Sequence, residues 1–171
     1  MPESQALSLM GLDISKWAVQ SAAKQDDKRA PVSRWVVGSN AQLPVQSATL
    51  NSVLCMFGFP VYSEFARVLK PGGQLLQVEA GPEHLRELRE IIYPTLKPAR
   101  EKAPDVPEGF AHRASEQISY AISLEGADVI HDLLTMTPHL YRASAEGRER
   151  AANLEQLTLT IDAQLIVWER I

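Results

Sequence analysis

The sequence predicts an α/β protein with a mostly parallel sheet and an antiparallel pair of strands at one edge. Three observations carry this. Up to Tyr93, short apolar β-like runs alternate with segments of helical spacing, the pattern of a parallel sheet with helices on both faces. The turn Lys70-Pro-Gly-Gly73 separates a helix from the strand after it, as such units require. Near the end, Gln117–Leu124 and Leu157–Trp168 alternate and are rich in β-formers, as half-buried antiparallel strands are. With 171 residues and 45% hydrophobic content, the chain is expected to form one domain spanning 1–171.

In chain order, Leu7–Asp13 is a short buried strand that ends in an acid. Ser15 can cap a helix whose apolar face is Ala18, Val19, Ala22 and Ala23. A polar loop, Gln25–Lys28, leads to a second strand at Arg34–Gly38 and the turn region Ser39–Pro44. The third strand has Val53–Phe57 as its apolar centre. Tyr62, Phe65, Ala66 and Leu69 then fall at helical spacing, and Gln74–Glu79 is the fourth strand. The next helix turns Leu85, Leu88 and Ile92 inward and Arg86, Glu87, Arg89 and Glu90 outward. Pro94–Gly109 carries four prolines and is a loop or lid. Helical segments at Ala127–Leu134 and Ala143–Leu154 lie between the two late strands.

Composition excludes several classes. Cys55 is the single cysteine, so neither a disulfide framework nor a cysteine-based zinc site can form, and a reducing, cytoplasmic setting is expected. No run approaches the roughly 18 apolar residues of a membrane span, and Met1–Leu9 lacks the order of a signal peptide. A net charge of -4 has the wrong sign for a domain that holds nucleic acid mainly through phosphates. Arg142, Arg148 and Arg150 are interleaved with Glu146 and Glu149, which suits a solvated helix face as well as an RNA patch.

The residues themselves point to chemistry at Asp13. An acid at the carboxyl end of a parallel strand can accept two hydrogen bonds from ribose hydroxyls; it can equally cap the helix that follows. Cys55 lies in an apolar strand, where a thiol behaves as a small hydrophobe rather than a nucleophile. Trp17, Trp35 and Trp168 sit in regular elements with apolar neighbours and are expected in the core.

Gly11-Leu-Asp-Ile-Ser-Lys16, Val37-Gly-Ser-Asn40 with Leu43-Pro44, and Arg67–Gly73 occur in the order seen in Rossmann-like S-adenosylmethionine (SAM) methyltransferases. Gly81-Pro-Glu-His84, Ile92-Tyr-Pro94, Met136-Thr-Pro138, Tyr141-Arg-Ala143 and Val167-Trp-Glu-Arg170 resemble, more narrowly, the bacterial 23S rRNA (guanine-N1)-methyltransferases. The resemblance spans nearly the whole chain. It implies that Asp13 holds the ribose of SAM, that Ser39, Asn40 and Leu43 border the adenine, and that His84 lies at the SAM site. It also implies 23S rRNA as substrate, with Phe57 or Phe59 placed to stack on guanine and Pro138 near the substrate pocket. Without it, Phe57 and Phe59 are equally core fillers beneath the Pro94–Gly109 loop, His84 a helix-start residue, and Met136–Pro138 a helix-ending turn. No residue is singled out as the proton acceptor.

The sequence departs from that class at its beginning. The Gly-rich turn at the methionine end of SAM normally lies about 20 residues before the ribose-binding acid. Here twelve residues precede Asp13, Met1–Ser8 contains no glycine, and the zinc-binding, rRNA-recognising start of the family has no counterpart. The expectation is therefore a partial methyltransferase domain, truncated on its N-terminal side. Its alternatives are a non-catalytic remnant or interaction domain, or a methyltransferase with another acceptor. Loss of a central strand leaves backbone edges unpaired, which predicts self-association through exposed sheet edges.

Overall fold

The structure, a computed structural model, describes residues 8–26, 33–96 and 105–171. The Gln25–Lys28 loop and the middle of the Pro94–Gly109 segment extend outside the described residues. The chain runs β1 (Leu9–Asp13), α1 (Lys16–Gln25), β2 (Ser33–Val37), β3 (Leu50–Met56), α2 (Tyr62–Val68), β4 (Leu69–Ala80) and α3 (Arg86–Ile92). It continues with β5 (Phe110–Glu125), α4 (Ala127–Met136), α5 (His139–Arg142), α6 (Ala145–Ala152) and β6 (Gln156–Arg170). The alternation of strand and helix expected for the first half is present. So is the antiparallel pair at one edge, formed by β5 and β6.

Among the described residues the strands form two separate ladders. One contains β1 and β2, paired in parallel with Leu9 opposite Ser33 and Asp13 opposite Val37. The other has the order β3-β4-β6-β5: β3 and β4 are parallel, and β6 runs antiparallel to both its neighbours. This is the mixed sheet of an α/β Rossmann-like fold, interrupted between β1 and β3.

Local chemistry explains the boundaries. Ser15 caps α1 by accepting the Ala18 N–H at 3.3 Å. Leu69, expected in α2, instead opens β4: its N–H bonds back to Phe65, but its own backbone is extended (ψ 143°). Gly73 lies against the Lys70 and Asn51 carbonyl oxygens, where a side chain would be tight, so the turn keeps β4 close to β3. β5 begins at Phe110, earlier than the alternation from Gln117 suggests, because its whole length pairs with β6.

The two faces of the large sheet are covered unequally. On one, α2 packs Phe65 over Cys55, Leu75, Phe110, Ile166 and Trp168. Within that core Gln77 accepts the Trp168 indole N–H at 2.9 Å and the Tyr62 hydroxyl at 3.0 Å, so a buried amide oxygen is satisfied twice. On the other face, α3, α4 and α6 cover only one end, where Leu88, Ile92, Ile130, Leu134, Ala151, Leu157 and Leu159 form the second core.

The β1–α1–β2 unit buries little. Val19 is its one buried side chain among the described residues, and Ala18 and Ala23 of the expected apolar face are exposed. Trp17 is a correction: it is 70% exposed rather than in the core, because no described element covers that side of α1. Trp168 is buried as expected, and Trp35 is half-buried with its ring against Gly11 and its Nε1–H donated to Asp26 at 3.0 Å. Glu87, expected to point outward, accepts the Thr160 N–H and hydroxyl at 2.8 and 2.6 Å and so fastens α3 to β6.

Candidate functional site

The carboxyl ends of β1, β2, β3 and β4 carry the residues singled out in the sequence. Asp13 ends β1 and is exposed; its Oδ1 accepts the Ser15 N–H at 2.7 Å. Oδ2 takes no hydrogen bond from a described residue, so the turn-forming role leaves an acceptor unspent. Just past β2, Ser39 pairs with Gln42 in a tight turn: the Gln42 N–H donates to Ser39 O at 3.2 Å and the Ala41 N–H to Ser39 Oγ at 3.2 Å.

Asn40 ties that turn to the next strand end by donating from Nδ2 to the Phe59 carbonyl at 3.0 Å. Leu43 is held from α2. Its N–H donates to Glu64 Oε2 at 2.9 Å and its carbonyl accepts from Arg67 Nη2 at 3.0 Å. Arg67 also reaches the Val45 carbonyl at 2.7 Å and is itself oriented by Glu64 at 2.8 Å. The Arg67 hydrogen bonds, with the Leu43 N–H, hold the Glu64 carboxyl down at a pKa of about 2. The Arg67–Gly73 motif thus contributes a staple for the Ser39–Val45 loop as well as a turn.

Phe57 and Phe59, which follow β3, are 53% and 88% exposed, which rules them out as core fillers. Phe57 stacks on the His84 ring, 5.3 Å between centroids and 26° between planes. Both sides of this contact hold a non-glycine residue in the left-handed region, Phe57 at φ 49° and Leu85 at φ 52°. Each such conformation costs about 1–2 kcal/mol and persists only where its surroundings enforce it. Here the Phe57 N–H bonds to Val78 O at 2.9 Å and the Leu85 N–H to Thr160 O at 2.8 Å.

Asp162, absent from the sequence-based set, organises the His84 turn. It is 1% exposed; its carboxylate accepts the Glu83 N–H and the Gln117 side-chain amide, each at 2.9 Å. Its N–H donates to His84 Nδ1 at 3.3 Å, which leaves the ring proton on Nε2. Gly81 lies so close to this carboxylate that a Cβ would overlap it. Burial pushes the His84 imidazole below the usual histidine range, against the Asp162 contacts, so the ring is neutral near pH 7.

His139, one residue after Pro138, meets the Tyr93 hydroxyl at 2.9 Å and lies within electrostatic reach of His84. Pro138 itself is exposed at the start of α5. The structure therefore joins Asn40 to Phe59 and Phe57 to His84 by direct contact, with Asp13 and Leu43 on the same strand-end side, whereas no described contact ties Pro138 to them. A separate cleft of about 560 Å³, lined by Tyr62, Ser63, Ala66, Pro107, Glu108 and Gly109, contains none of the predicted site residues. Cys55 is buried, and burial pushes its thiol pKa up, the opposite of an activated nucleophile. Among the described residues no group of His, Cys, Asp and Glu is arranged to hold a metal.

Ligands of open α/β sheets bind outside the carboxyl ends of the strands, where the strand order reverses. At that edge the structure places the Asp13 carboxylate, the stapled Ser39–Val45 turn and, beyond β4, His84. The fold is that of Rossmann-like SAM-dependent methyltransferases.

Comparison with known proteins agrees. Residues 2–77 match the family described as a methyltransferase domain. The chain is 28% identical over 162 residues to YxjB of Bacillus subtilis (strain 168), named provisionally as a 23S rRNA (guanine-N1)-methyltransferase. That similarity covers 92% of the chain and 55% of the relative, so the chain spans about half the length of the curated protein it matches. A SAM-dependent methyltransferase of Methanosarcina mazei shares 16% identity at a TM-score of 0.52, covering 98% of this chain and 84% of that one. An echinomycin-biosynthesis protein, tied to conversion of a disulfide bond into a thioacetal, shares 13% identity at a TM-score of 0.62, covering 95% and 67%. The cyclase SpnF shares 15% at 0.56, covering 98% and 67%, so the fold alone does not fix the reaction. Together these findings show the methyltransferase fold and a match to a methyltransferase domain over residues 2–77.

Proposed function

We propose that this chain provides the ribose-, adenine- and substrate-facing part of a methyltransferase acting on N1 of a guanine in 23S rRNA, in the cytoplasm. The observation that carries the reading is the shared strand-end site: Asp13 with an unspent carboxylate oxygen, the stapled Ser39–Leu43 turn, and His84 stacked on Phe57. The rRNA substrate is supported by the similarity to the Bacillus subtilis protein and by the late motifs from Met136 to Arg170.

In this reading Asp13 accepts the ribose hydroxyls, Ser39, Asn40 and Leu43 border the adenine, and His84 closes the site beyond β4. SAM, when bound, supplies an electrophilic methyl group. Phe57 and Phe59 offer exposed ring faces on which an unstacked guanine can lie, and Pro138 borders the same pocket. Methylation at N1 also requires loss of the N1 proton, and His84 is a titratable group on this side whose pKa burial lowers.

Calorimetric titration of the 171-residue chain with SAM and S-adenosylhomocysteine, alongside Asp13→Ala and His84→Ala, tests the reading. Micromolar binding lost in both variants is expected. A folded chain with no measurable binding would leave the interaction-domain reading, which the break between β1 and β3 favours.

A further inference from the structure

A net charge of -4 gives this chain no general hold on RNA, so any grip on phosphates has to be local. Basic side chains gather in one place beside His84. Arg89, on α3, reaches back to the His84 turn, where its Nη2 donates to the Pro82 carbonyl at 2.5 Å. One helical turn further on, Tyr93 sets its hydroxyl 2.9 Å from His139 Nδ1. His139 opens α5 and Arg142 ends it, so the two share one turn. Arg89 and Arg142 both lie within electrostatic reach of Tyr93 and His139, and Arg89 also of His84. Tyr93 and Arg142 belong to the motifs Ile92-Tyr-Pro94 and Tyr141-Arg-Ala143, for which the cofactor site has no use.

Among the described residues no carboxylate pairs with Arg89 or Arg142. Glu83 and Glu90 are both spent on Arg86, at 2.6 and 2.8 Å, and Glu87 is fastened to Thr160. Asp162 lies within electrostatic reach of His84, but its buried carboxylate is taken by the Glu83 N–H and the Gln117 amide. Arg89 spends only Nη2 on a described residue, and its Nε has no partner. Arg142 is exposed and makes no hydrogen bond or ion pair with a described residue. Arg148 and Arg150 differ, since they donate to the Ala143 and Ile91 carbonyls at 3.0 and 2.8 Å and so tie α6 to its neighbours. Of the three arginines whose setting suited a solvated helix face or an RNA patch, Arg142 is the one left unspent.

We propose that Arg89, His139 and Arg142, gathered around Tyr93 beside His84, bind a phosphodiester of the RNA strand whose guanine enters the site, an inference that rests on the RNA reading above. A guanidinium presents its N–H groups as a planar fork that matches two phosphate oxygens at once. Protonated His139 adds a third positive charge, and a bound phosphate offsets the mutual repulsion of all three. Such a contact carries no sequence information; it fixes the register of the strand, so that one nucleotide is presented to the exposed Phe57 and Phe59 rings.

The test titrates the 171-residue chain and its variants with a short single-stranded RNA containing one guanine, at several salt concentrations, and separately with SAM, inorganic phosphate and an acidic peptide. Arg142→Gln is expected to weaken RNA binding about tenfold and to flatten the slope of log affinity against log salt by about 0.7, the share of one phosphate contact on a single strand. Arg142→Lys should keep the slope. Arg113→Gln, bonded to Glu169 at the opposite end of the β4–β6 ladder, should change neither quantity. By NMR the His139 ring should titrate at higher pH with RNA bound, because a neighbouring anion favours its charged form. The proposal is overturned if Arg142→Gln and Arg89→Gln both keep wild-type RNA affinity and salt slope. It is also overturned if RNA does not bind, whether or not inorganic phosphate or the acidic peptide does. Weakened SAM binding in Arg142→Gln with RNA binding unchanged would overturn it too, by assigning the cluster to the SAM carboxylate. RNA binding through Arg142 in a chain that binds no SAM would keep the phosphate site and sink the methyltransferase reading.

Discussion

Asp162, Gly81 and His84 show how one buried carboxylate shapes a strand-end turn. The carboxylate fills the space where a Gly81 side chain would stand and accepts the Glu83 N–H, so the turn can close only over glycine. Gly81→Ala is expected to lower stability by about 1–3 kcal/mol, the usual cost of overpacking, in chemical denaturation. An unchanged midpoint would mean that the turn can move off Asp162. His84 and His139 are both pushed below the ordinary histidine pKa, chiefly by burial. The unfolded chain therefore binds protons more readily than the folded one. Their contribution to stability is present above about pH 6.5 and is lost as pH falls below it. Denaturation midpoints should drop between pH 7.5 and 5.5, and His84→Asn should flatten that drop; a pH-independent wild type would contradict the burial of both rings.

At the scale of elements, α2 positions the loop after β2. One arginine caps two carbonyls, Leu43 and Val45, and its guanidinium is set by Glu64. A guanidinium spans both acceptors at once, whereas an ammonium is a single point. Arg67→Ala and Arg67→Lys are both expected to weaken SAM binding about tenfold while leaving the unfolding transition cooperative. Calorimetry on the two variants checks this, and full affinity in Arg67→Lys would show that charge alone suffices. Because the Glu64 carboxyl is lowered to about 2, it stays ionised through mildly acid pH, and the staple should persist at pH 5.

At the scale of the molecule, the two ladders differ in what holds them. The β3-β4-β6-β5 sheet is gripped on one face by α2 and at one end of the other by α3, α4 and α6. The β1–α1–β2 unit buries only Val19 among its described residues. Amides of β1 and β2 should therefore exchange on the order of 100-fold faster than those of β4 and β6; uniform protection would contradict this. On the face opposite α2, Leu54 and Met56 are exposed, while Leu76, Val78, Leu165 and Val167 beside them are partly buried.

The alternation of strands and helices, the helix cap at Ser15, the Lys70–Gly73 turn and the antiparallel edge pair were legible in the sequence, because each is set by local periodicity, capping and turn chemistry. So were Asp13, the Ser39–Leu43 turn and His84 as strand-end residues, through short motifs that recur in order. Trp17 was misjudged because an apolar neighbourhood in sequence does not show whether a second element arrives to cover it. Asp162 and Gln117 were invisible for the complementary reason, since Asp162 meets Gly81 and His84, and Gln117 meets Asp162, only through contacts between distant segments. The sequence by itself determined which elements form and which residues stand at their ends, since those depend on neighbours within a few positions. Only the tertiary structure decided which side chains converge, which face lies open, and where the sheet is interrupted, because these depend on contacts between segments many residues apart.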